Sequence, residues 1–286
     1  MDREDIMQIG NEALRHAHQV HDVLGKKGEE IIQRNQYGDM ALRADVEAEE
    51  AVLKVLQKHN LPVQVISEEH GIVTVGKNPR YLAMLDGIDG TAVYKKARGI
   101  GRYGTMFGIY HGTDPLYSDY LYGGIMEHAA NKLYYAAKGQ GSWLINQKQK
   151  IPIHCKQGEK LNKNSSRLYV DTAFDDYFGT RVFKHVAEKL KDYSTSYTLA
   201  SCIHYVDLAN GKVEAVIECT RKQNLELAVA YAIIKEAGGV MMTIHGESLE
   251  NLKYSEFGQN DHYLIFSGCT SALADALRRF ASSSIT

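Results

Sequence analysis

The chain has 286 residues, 44% hydrophobic and 24% charged, an ordinary globular composition with length for one large domain or two modest ones. Its formal net charge of -2 argues against a general nucleic-acid binder, whose surface carries excess Lys and Arg. No apolar run approaches the roughly 20 residues of a membrane helix. The acidic start, Met1-Asp2-Arg3-Glu4-Asp5, predicts no signal peptide. Cys155, Cys202, Cys219 and Cys269 are scattered without a C-x-x-C pair, which predicts free thiols in a reducing, cytoplasmic setting.

In chain order, Ile6, Ile9, Ala13, Leu14, Ala17, Val20, Val23 and Leu24 recur at three- and four-residue steps and predict an amphipathic helix on a core. His16, His18 and His21 ride on it. His18 and His21 have a spacing that a metal site can use, yet a solvated helix face is the expectation. A turn with an acidic tip, Gln36-Tyr37-Gly38-Asp39-Met40, precedes a second helix. There Asp45-Val46-Glu47-Ala48-Glu49-Glu50 sets negative charge in the first turn, and Val52, Leu53, Val55 and Leu56 supply a buried stripe. On this basis alone Asp39 and Asp45 read as ordinary caps.

Val63-Gln64-Val65-Ile66 reads as a strand ending in Ser67-Glu68-Glu69. Alternation along a strand lets only one of the two glutamates face a given site. Residues 81–85 form a short, uninterrupted apolar run, as in a strand buried on both faces. The run meets Asp86-Gly87-Ile88-Asp89-Gly90-Thr91. Two carboxylates three apart, among glycines at the end of a buried strand, sit where open α/β sheets present ligands. Their repulsion calls for a cation. With one more carboxylate from the Glu68-Glu69 pair, the oxygen-rich set suits Mg²⁺ and not zinc. The glycines leave backbone N–H groups room to approach a phosphate. In isolation the segment also reads as a plain Asp/Gly turn.

Further on, Lys95, Lys96, Arg98 and Arg102 are either a solvated loop or a contact for a second phosphate or a carboxylate. Residues 105–110, 124–126, 133–137, 168–170 and 213–217 read as strands. Val182, Phe183, Val186, Ala187 and Leu190 mark a helix, residues 201–208 another, and residues 225–237 a strongly apolar helix closed by Gly238-Gly239.

Several of these segments, in this order, resemble the inositol monophosphatase family. It belongs to the Mg²⁺-dependent, lithium-sensitive phosphatase superfamily that also holds fructose-1,6-bisphosphatases and 3'(2'),5'-bisphosphate nucleotidases. The family's acidic strand end matches Ser67-Glu68-Glu69. Its Asp-Pro-Ile/Leu-Asp-Gly-Thr/Ser signature matches Asp86-Gly87-Ile88-Asp89-Gly90-Thr91. Its Gly-Asp followed by Ala-Asp-x-x-Ala-Glu matches Gly38-Asp39 and Ala44-Asp45-Val46-Glu47-Ala48-Glu49. A central hairpin is similar to residues 124–143, and a C-terminal Glu-Ala-Gly-Gly is Glu236-Ala237-Gly238-Gly239.

The resemblance implies an α/β (α+β) fold, the layered α/β/α/β/α sandwich of the inositol monophosphatase and fructose-1,6-bisphosphatase type. Residues 1–145 would form an N-terminal α+β half with most metal ligands. Residues 146–286 would form a C-terminal α/β half that completes the site. It implies two or three Mg²⁺ ions held by Glu68, Asp86, Asp89, Glu226 and the carbonyl of Ile88. Gly90 and Thr91 would bind the substrate phosphate, with Glu218 nearby on the substrate side. Glu68 and Thr91 would orient or deprotonate the attacking water, with Asp45 orienting the site and Asp39 on a mobile loop. The implied activity is Mg²⁺-dependent hydrolysis of a small-molecule phosphate monoester: an inositol monophosphate, a sugar bisphosphate or a 3'-phosphonucleotide. The implied setting is a lithium-sensitive cytoplasmic homodimer with no nucleic-acid or membrane partner.

Three departures stand against the pattern. Leu225-Glu226 replaces the family's Trp-Asp. The extra methylene of Glu226 reaches the metal directly, reaches it through water, or leaves a second metal weakly held. Gly87 replaces proline, which predicts a less rigid segment in the unfolded chain. The family's Arg-x-x-Gly-Ser/Ala is absent, and residues 195–201 stand in its place. These departures favour a competing reading, a catalytically weakened relative that binds a phosphorylated ligand or partner without turnover.

Overall fold

A computed structural model describes residues 2–158, 161–163, 165–171, 193–198, 200–219, 222–243, 245–257, 265–271 and 273. The first helix, α1 (Arg3–Leu24), is opened by a reciprocal cap: Asp5 N donates to Asp2 at 2.8 Å and Asp2 N donates to Asp5 at 3.0 Å. A hairpin of β1 (Ile31–Arg34) and β2 (Met40–Leu42) follows, then α2 (Arg43–Lys58). Ile6, Ile9, Leu14 and Ala17 of α1 pack with Val52, Val55 and Leu56 of α2 on one face of a large sheet. The stripe of α1 departs from expectation near its end. Val23 is 87% exposed, whereas His18 and His21 are buried. Three- and four-residue steps from Leu14 and Ala17 lead to His18 and His21, so the solvated face expected for them is corrected; only His16 lies outside.

The sheet contains β3 (Val63–Ser67), β4 (Gly71–Val75), β5 (Tyr81–Asp89), β6 (Gly104–His111), β7 (Tyr120–Glu127), β8 (Lys132–Ala137), β9 (Ser142–Asn146) and β10 (Gln149–Ile153). Their order is β10-β9-β8-β7-β6-β5-β3-β4, antiparallel throughout except for the pair β3 and β5. All nine residues of β5 are buried, as its apolar run predicts. Because β3 and β5 run the same way with Ser67 opposite Leu85, both deliver their acidic ends to the same edge.

Beyond β5, α3 (Thr91–Ala97) leads into β6. A second sheet holds β11 (Arg167–Asp171), β12 (Ser194–Thr198), β13 (Ala215–Cys219), β14 (Gly239–Thr243) and β15 (Ile265–Thr270), in the order β12-β11-β13-β15-β14. Between the sheets lie α4 (Ser201–Ala209) and α5 (Leu225–Glu236). Residues 225–234 of α5 are all buried, which suits a helix apolar on every side. It stops at Gly238, at φ +81°. The Glu236 carboxylate accepts from Tyr120 Oη at 2.6 Å and from the amides of Gly139 and Gly141 at 2.8 Å, which ties α5 to the β8–β9 turn.

The mixed α/β sandwich is the fold class expected. Among the described residues its layers run helix pair, sheet, helix pair, sheet, and the fifth, helical layer expected lies outside them. The helix expected around Val182 to Leu190 lies outside the described residues. Among the described residues no helix is long and apolar enough to cross a membrane. Cys155, Cys202 and Cys269 are buried free thiols, as expected.

Gly87 has a role in the folded chain that its place in the motif does not show. It lies inside buried β5, and a Cβ there would overlap the backbone carbonyl of Asp45. The missing side chain is what lets α2 close onto β5. Gly87→Ala should therefore lower stability by about 1–3 kcal/mol, read as a lower thermal midpoint. An unchanged midpoint would show that α2 has room to retreat.

Candidate active site

Asp86 and Asp89 are three residues apart, and in a regular strand they would point to opposite faces. The pairing of β5 with β6 is interrupted between them, the kind of irregularity that re-aims side chains. Both carboxylates, and that of Glu226 in the first turn of α5, are buried and offer oxygens within 4.8 Å of one another. Glu226 therefore reaches the aspartates despite its departure from the family pattern. Asp89 Oδ2 also accepts the Cys202 amide of α4 at 2.6 Å. An oxygen-only set of this charge fits a hard divalent cation and suits zinc poorly.

Glu68 stands beside this group rather than in it. β3 ends at Ser67, so Glu68 and Glu69 lie in a turn and strand alternation does not separate them. Asn35 Nδ2 donates to both, at 3.3 and 3.4 Å. Beneath the turn, the fully buried Glu49 carboxylate accepts the amides of Glu68 at 3.1 Å and Glu69 at 3.1 and 3.3 Å, bonds Ser67 Oγ, and pairs with His70 Nδ1 at 2.8 Å. No role was read for Glu49 from sequence, although it closes the Ala-Asp-x-x-Ala-Glu motif. No sequence signal marks Asn35.

Asp45 uses both of its carboxylate oxygens. One oxygen accepts the Leu42 amide at 3.1 Å as a helix cap, and the other lies 3.1 Å from Thr91 Oγ1. Thr91 Oγ1 is also 2.9 Å from the Ile88 carbonyl oxygen. Gly90, at φ +88°, turns the chain into α3 with its Cα against Ala200 and Tyr103. Glu218 is buried on the α4 side. Burial opposes its charge, but His204, 3.6 Å away, and Ser201 Oγ outweigh this and hold its carboxyl below the usual range.

The basic run is split. Lys95 and Lys96 are solvated. Arg98 pairs with Glu29 at 2.8 Å. Arg102 bonds Glu127 and Asp207, each at 2.6 Å, linking β7 to α4 and leaving little of its charge for a substrate. Asp39 sits exposed at the β1–β2 turn, and neighbouring Tyr37 Oη donates to Gln223 Oε1 at 3.2 Å, just before α5.

A model of the inositol monophosphatase family matches residues 3–278. The chain is 27% identical over 266 residues to a fructose-1,6-bisphosphatase/inositol-1-monophosphatase of Methanothermobacter thermautotrophicus, covering 88% of this chain and 90% of that one. It is 29% identical over 252 residues to a bifunctional NADP phosphatase/NAD kinase of Methanocaldococcus jannaschii, covering 80% of this chain but 42% of that longer protein. Its fold is similar to an inositol monophosphatase from Anabaena, with TM-score 0.73, 18% identity and coverage of 98% and 96% of the two chains. It is likewise similar to a Thermotoga maritima IMPase, with TM-score 0.73, 16% identity and coverage of 100% and 98%.

Burial, then the charge of Glu68, pushes Asp45 up to about 7. Burial, then Glu68 and Asp45, pushes Glu69 up to about 8. Both values exceed those of the unfolded chain, near about 4. Folding therefore takes up protons between about pH 4 and pH 8, and the stability these groups contribute is present at low pH and lost as pH rises. A divalent cation relieves the same repulsion. Chelator-stripped protein should lose thermal stability between about pH 5 and pH 8, and added Mg²⁺ should raise the midpoint more at the higher pH. An equal Mg²⁺ shift at both ends would break the link between these acids and the cation.

Proposed function

Since the chain belongs to the inositol monophosphatase family, we propose that it hydrolyses a phosphate monoester of a small molecule with Mg²⁺ held at the acidic group. The observation that carries this reading is the convergence of Asp86, Asp89 and Glu226, three buried carboxylates from two halves of the chain. These three would hold one ion, and Glu68, Asp86 and the Ile88 carbonyl another. When bound there, Mg²⁺ supplies charge neutralisation for the ester and lowers the pKa of a water. The residues supply position. Glu68 and the Thr91 hydroxyl orient the water, and Asp45 fixes that hydroxyl through its nearer oxygen. Gly90 and Thr91, at the start of α3, present backbone N–H groups to the phosphate. Glu218 lies on the substrate side.

The competing reading, binding without turnover, draws on Glu226 and Gly87. The place of Glu226 beside the aspartates, and the fit of Gly87 against Asp45, both favour turnover. Inhibition by lithium, a homodimeric assembly and a cytoplasmic setting belong to the same proposal. The relatives named for fructose-1,6-bisphosphate, inositol monophosphate and NADP support a substrate that is an anionic phosphomonoester of a sugar, a cyclitol or a nucleotide.

Phosphate release across inositol monophosphates, fructose-1,6-bisphosphate, NADP and 3'-phosphoadenosine compounds tests the proposal. Release from at least one, dependent on Mg²⁺, is expected; none from any of them favours the binding-only reading. Asp89→Asn should abolish turnover with the fold retained by circular dichroism, and near-normal activity would remove Asp89 as a ligand. Glu226→Asp withdraws the carboxylate by one methylene. It should raise the Mg²⁺ needed for half-activation about 10-fold, equivalent to roughly 1.4 kcal/mol. A lower requirement would mean that the longer arm is a handicap.

A further inference from the structure

His18 and His21 of α1 meet His128, which follows β7, in a buried cluster away from the acidic group. Each of the three offers a ring nitrogen within 4.8 Å of the others. Counting protons shows where a cation can take a proton's place. Thr105 Oγ1 lies 2.6 Å from the Gly87 carbonyl oxygen and gives its one proton there. It must therefore accept from His128 Nε2, 2.9 Å away, which leaves His128 Nδ1 as a bare lone pair. His18 Nδ1 faces that lone pair at 3.3 Å, while His18 Nε2 lies 3.5 Å from an Asp22 carboxylate oxygen. Neutral His18 has one proton for these two places. A cation seated between the two Nδ1 atoms lets the proton stay on Nε2, facing Asp22.

From this geometry we infer that His18, His21 and His128 form a site for one transition-metal ion of the zinc class. The 3.3 Å between the Nδ1 atoms matches the edge of a tetrahedron with metal–nitrogen bonds of about 2.0–2.1 Å. His18 and His128 have their orienting partners, whereas both His21 nitrogens are already engaged and one must be exchanged for the ion. Asp22 reaches His21 Nδ1 at 3.1 Å as well as His18, so one carboxylate orients two imidazoles, and Thr105 orients the third. Tyr103 Oη meets His21 Nε2 at 3.0 Å and itself accepts the Gly99 amide at 3.0 Å. His21 stacks on His128 with ring centroids 4.3 Å apart and planes 12° apart, so a turn about its side-chain torsions is the movement the site requires.

Burial pushes the pKa of all three histidines down, which disfavours a second proton on any of them and leaves neutral imidazole, the metal-binding form. Nitrogen donors select zinc-class ions over Mg²⁺, whereas the oxygen-only group selects the reverse. The chain thus sorts two kinds of cation into two places. Through Thr105 and the Gly87 carbonyl, an ion at the histidines braces the Asp86–Asp89 segment from behind. This inference does not depend on the proposed hydrolysis.

Cobalt(II) is the probe. Full-length protein stripped with a chelator and held in excess Mg²⁺ should take up one Co²⁺ per chain with the intense visible absorption of a tetrahedral site, bleached by one equivalent of Zn²⁺. Asp89→Asn should keep the spectrum. His128→Gln and His18→Gln should each lose it, with circular dichroism reporting the fold. The wild-type spectrum decides the matter even if a variant fails to fold: no tetrahedral band overturns the site. So does a band lost in Asp89→Asn, a band kept in folded His18→Gln, or acid-dependent stability without metal uptake, which would make the cluster a proton store.

Discussion

Everything at the sheet edge turns on holding like charges together where water barely reaches. Two unit charges 4 Å apart repel by about 4 kcal/mol at an effective dielectric of 20. The chain gathers Asp86, Asp89 and Glu226 and sets Glu68, Glu69 and Asp45 around them. Of the nearby basic residues, Arg98 and Arg102 are committed to other carboxylates. Backbone N–H groups oppose the repulsion instead. Cys202 N holds Asp89, Leu42 N holds Asp45, and the amides of Glu68 and Glu69 hold Glu49 below them. These donors fix positions but carry no net charge.

The scaffold delivers the carboxylates from separate sources. The parallel pairing of β3 with β5, the one such pair in the eight-stranded sheet, brings two acidic ends to one edge. The Glu68 amide continues this pairing by donating to the Leu85 carbonyl at 3.0 Å. Glu226 arrives by another route. Leu227, Val229 and Ile233 are buried with the rest of α5 between the sheets. Each such side chain stabilises by about 1.5–3 kcal/mol, so a few of them outweigh the repulsion met by one carboxylate at the helix start. The N-terminal end of α5 also favours negative charge.

Much of this was legible in the sequence wherever one period or one motif decided the matter. The apolar run of β5, the stripe of α2 and the all-apolar α5 closed by glycine each have one simple reading. The errors share a cause: a residue's type was allowed to stand for its place. His18 and His21 continue the buried stripe by spacing, yet polarity argued them outward. Glu68 and Glu69 were treated as strand residues, although the strand stops one residue earlier. Gly87 also marks a close contact that no motif announces, because only the fold reveals the Asp45 backbone beside it. Arg102 reads as either solvated or in contact with a ligand, because Glu127 and Asp207, its actual partners, are distant in sequence. The convergence of Asp86 and Asp89 depends on an irregularity between β5 and β6 that no pattern in β5 itself announces.

The β1–β2 hairpin joins these strands of argument. Its root is fixed to the acidic turn: Asn35 bonds Glu68 and Glu69, Gln33 Nε2 donates to the Glu69 carbonyl at 3.1 Å, and Gln36 Nε2 donates to that of Ser67 at 2.7 Å. Its tip leans the other way, with Tyr37 on Gln223 at the entrance to α5. Gln223 and Asn224 both adopt left-handed backbone, at φ 58° and 56°, and Tyr254 Oη donates to the Gln223 carbonyl at 2.5 Å. One hairpin thus touches both sources of the acidic group, the turn that carries Glu68 and the turn that launches Glu226.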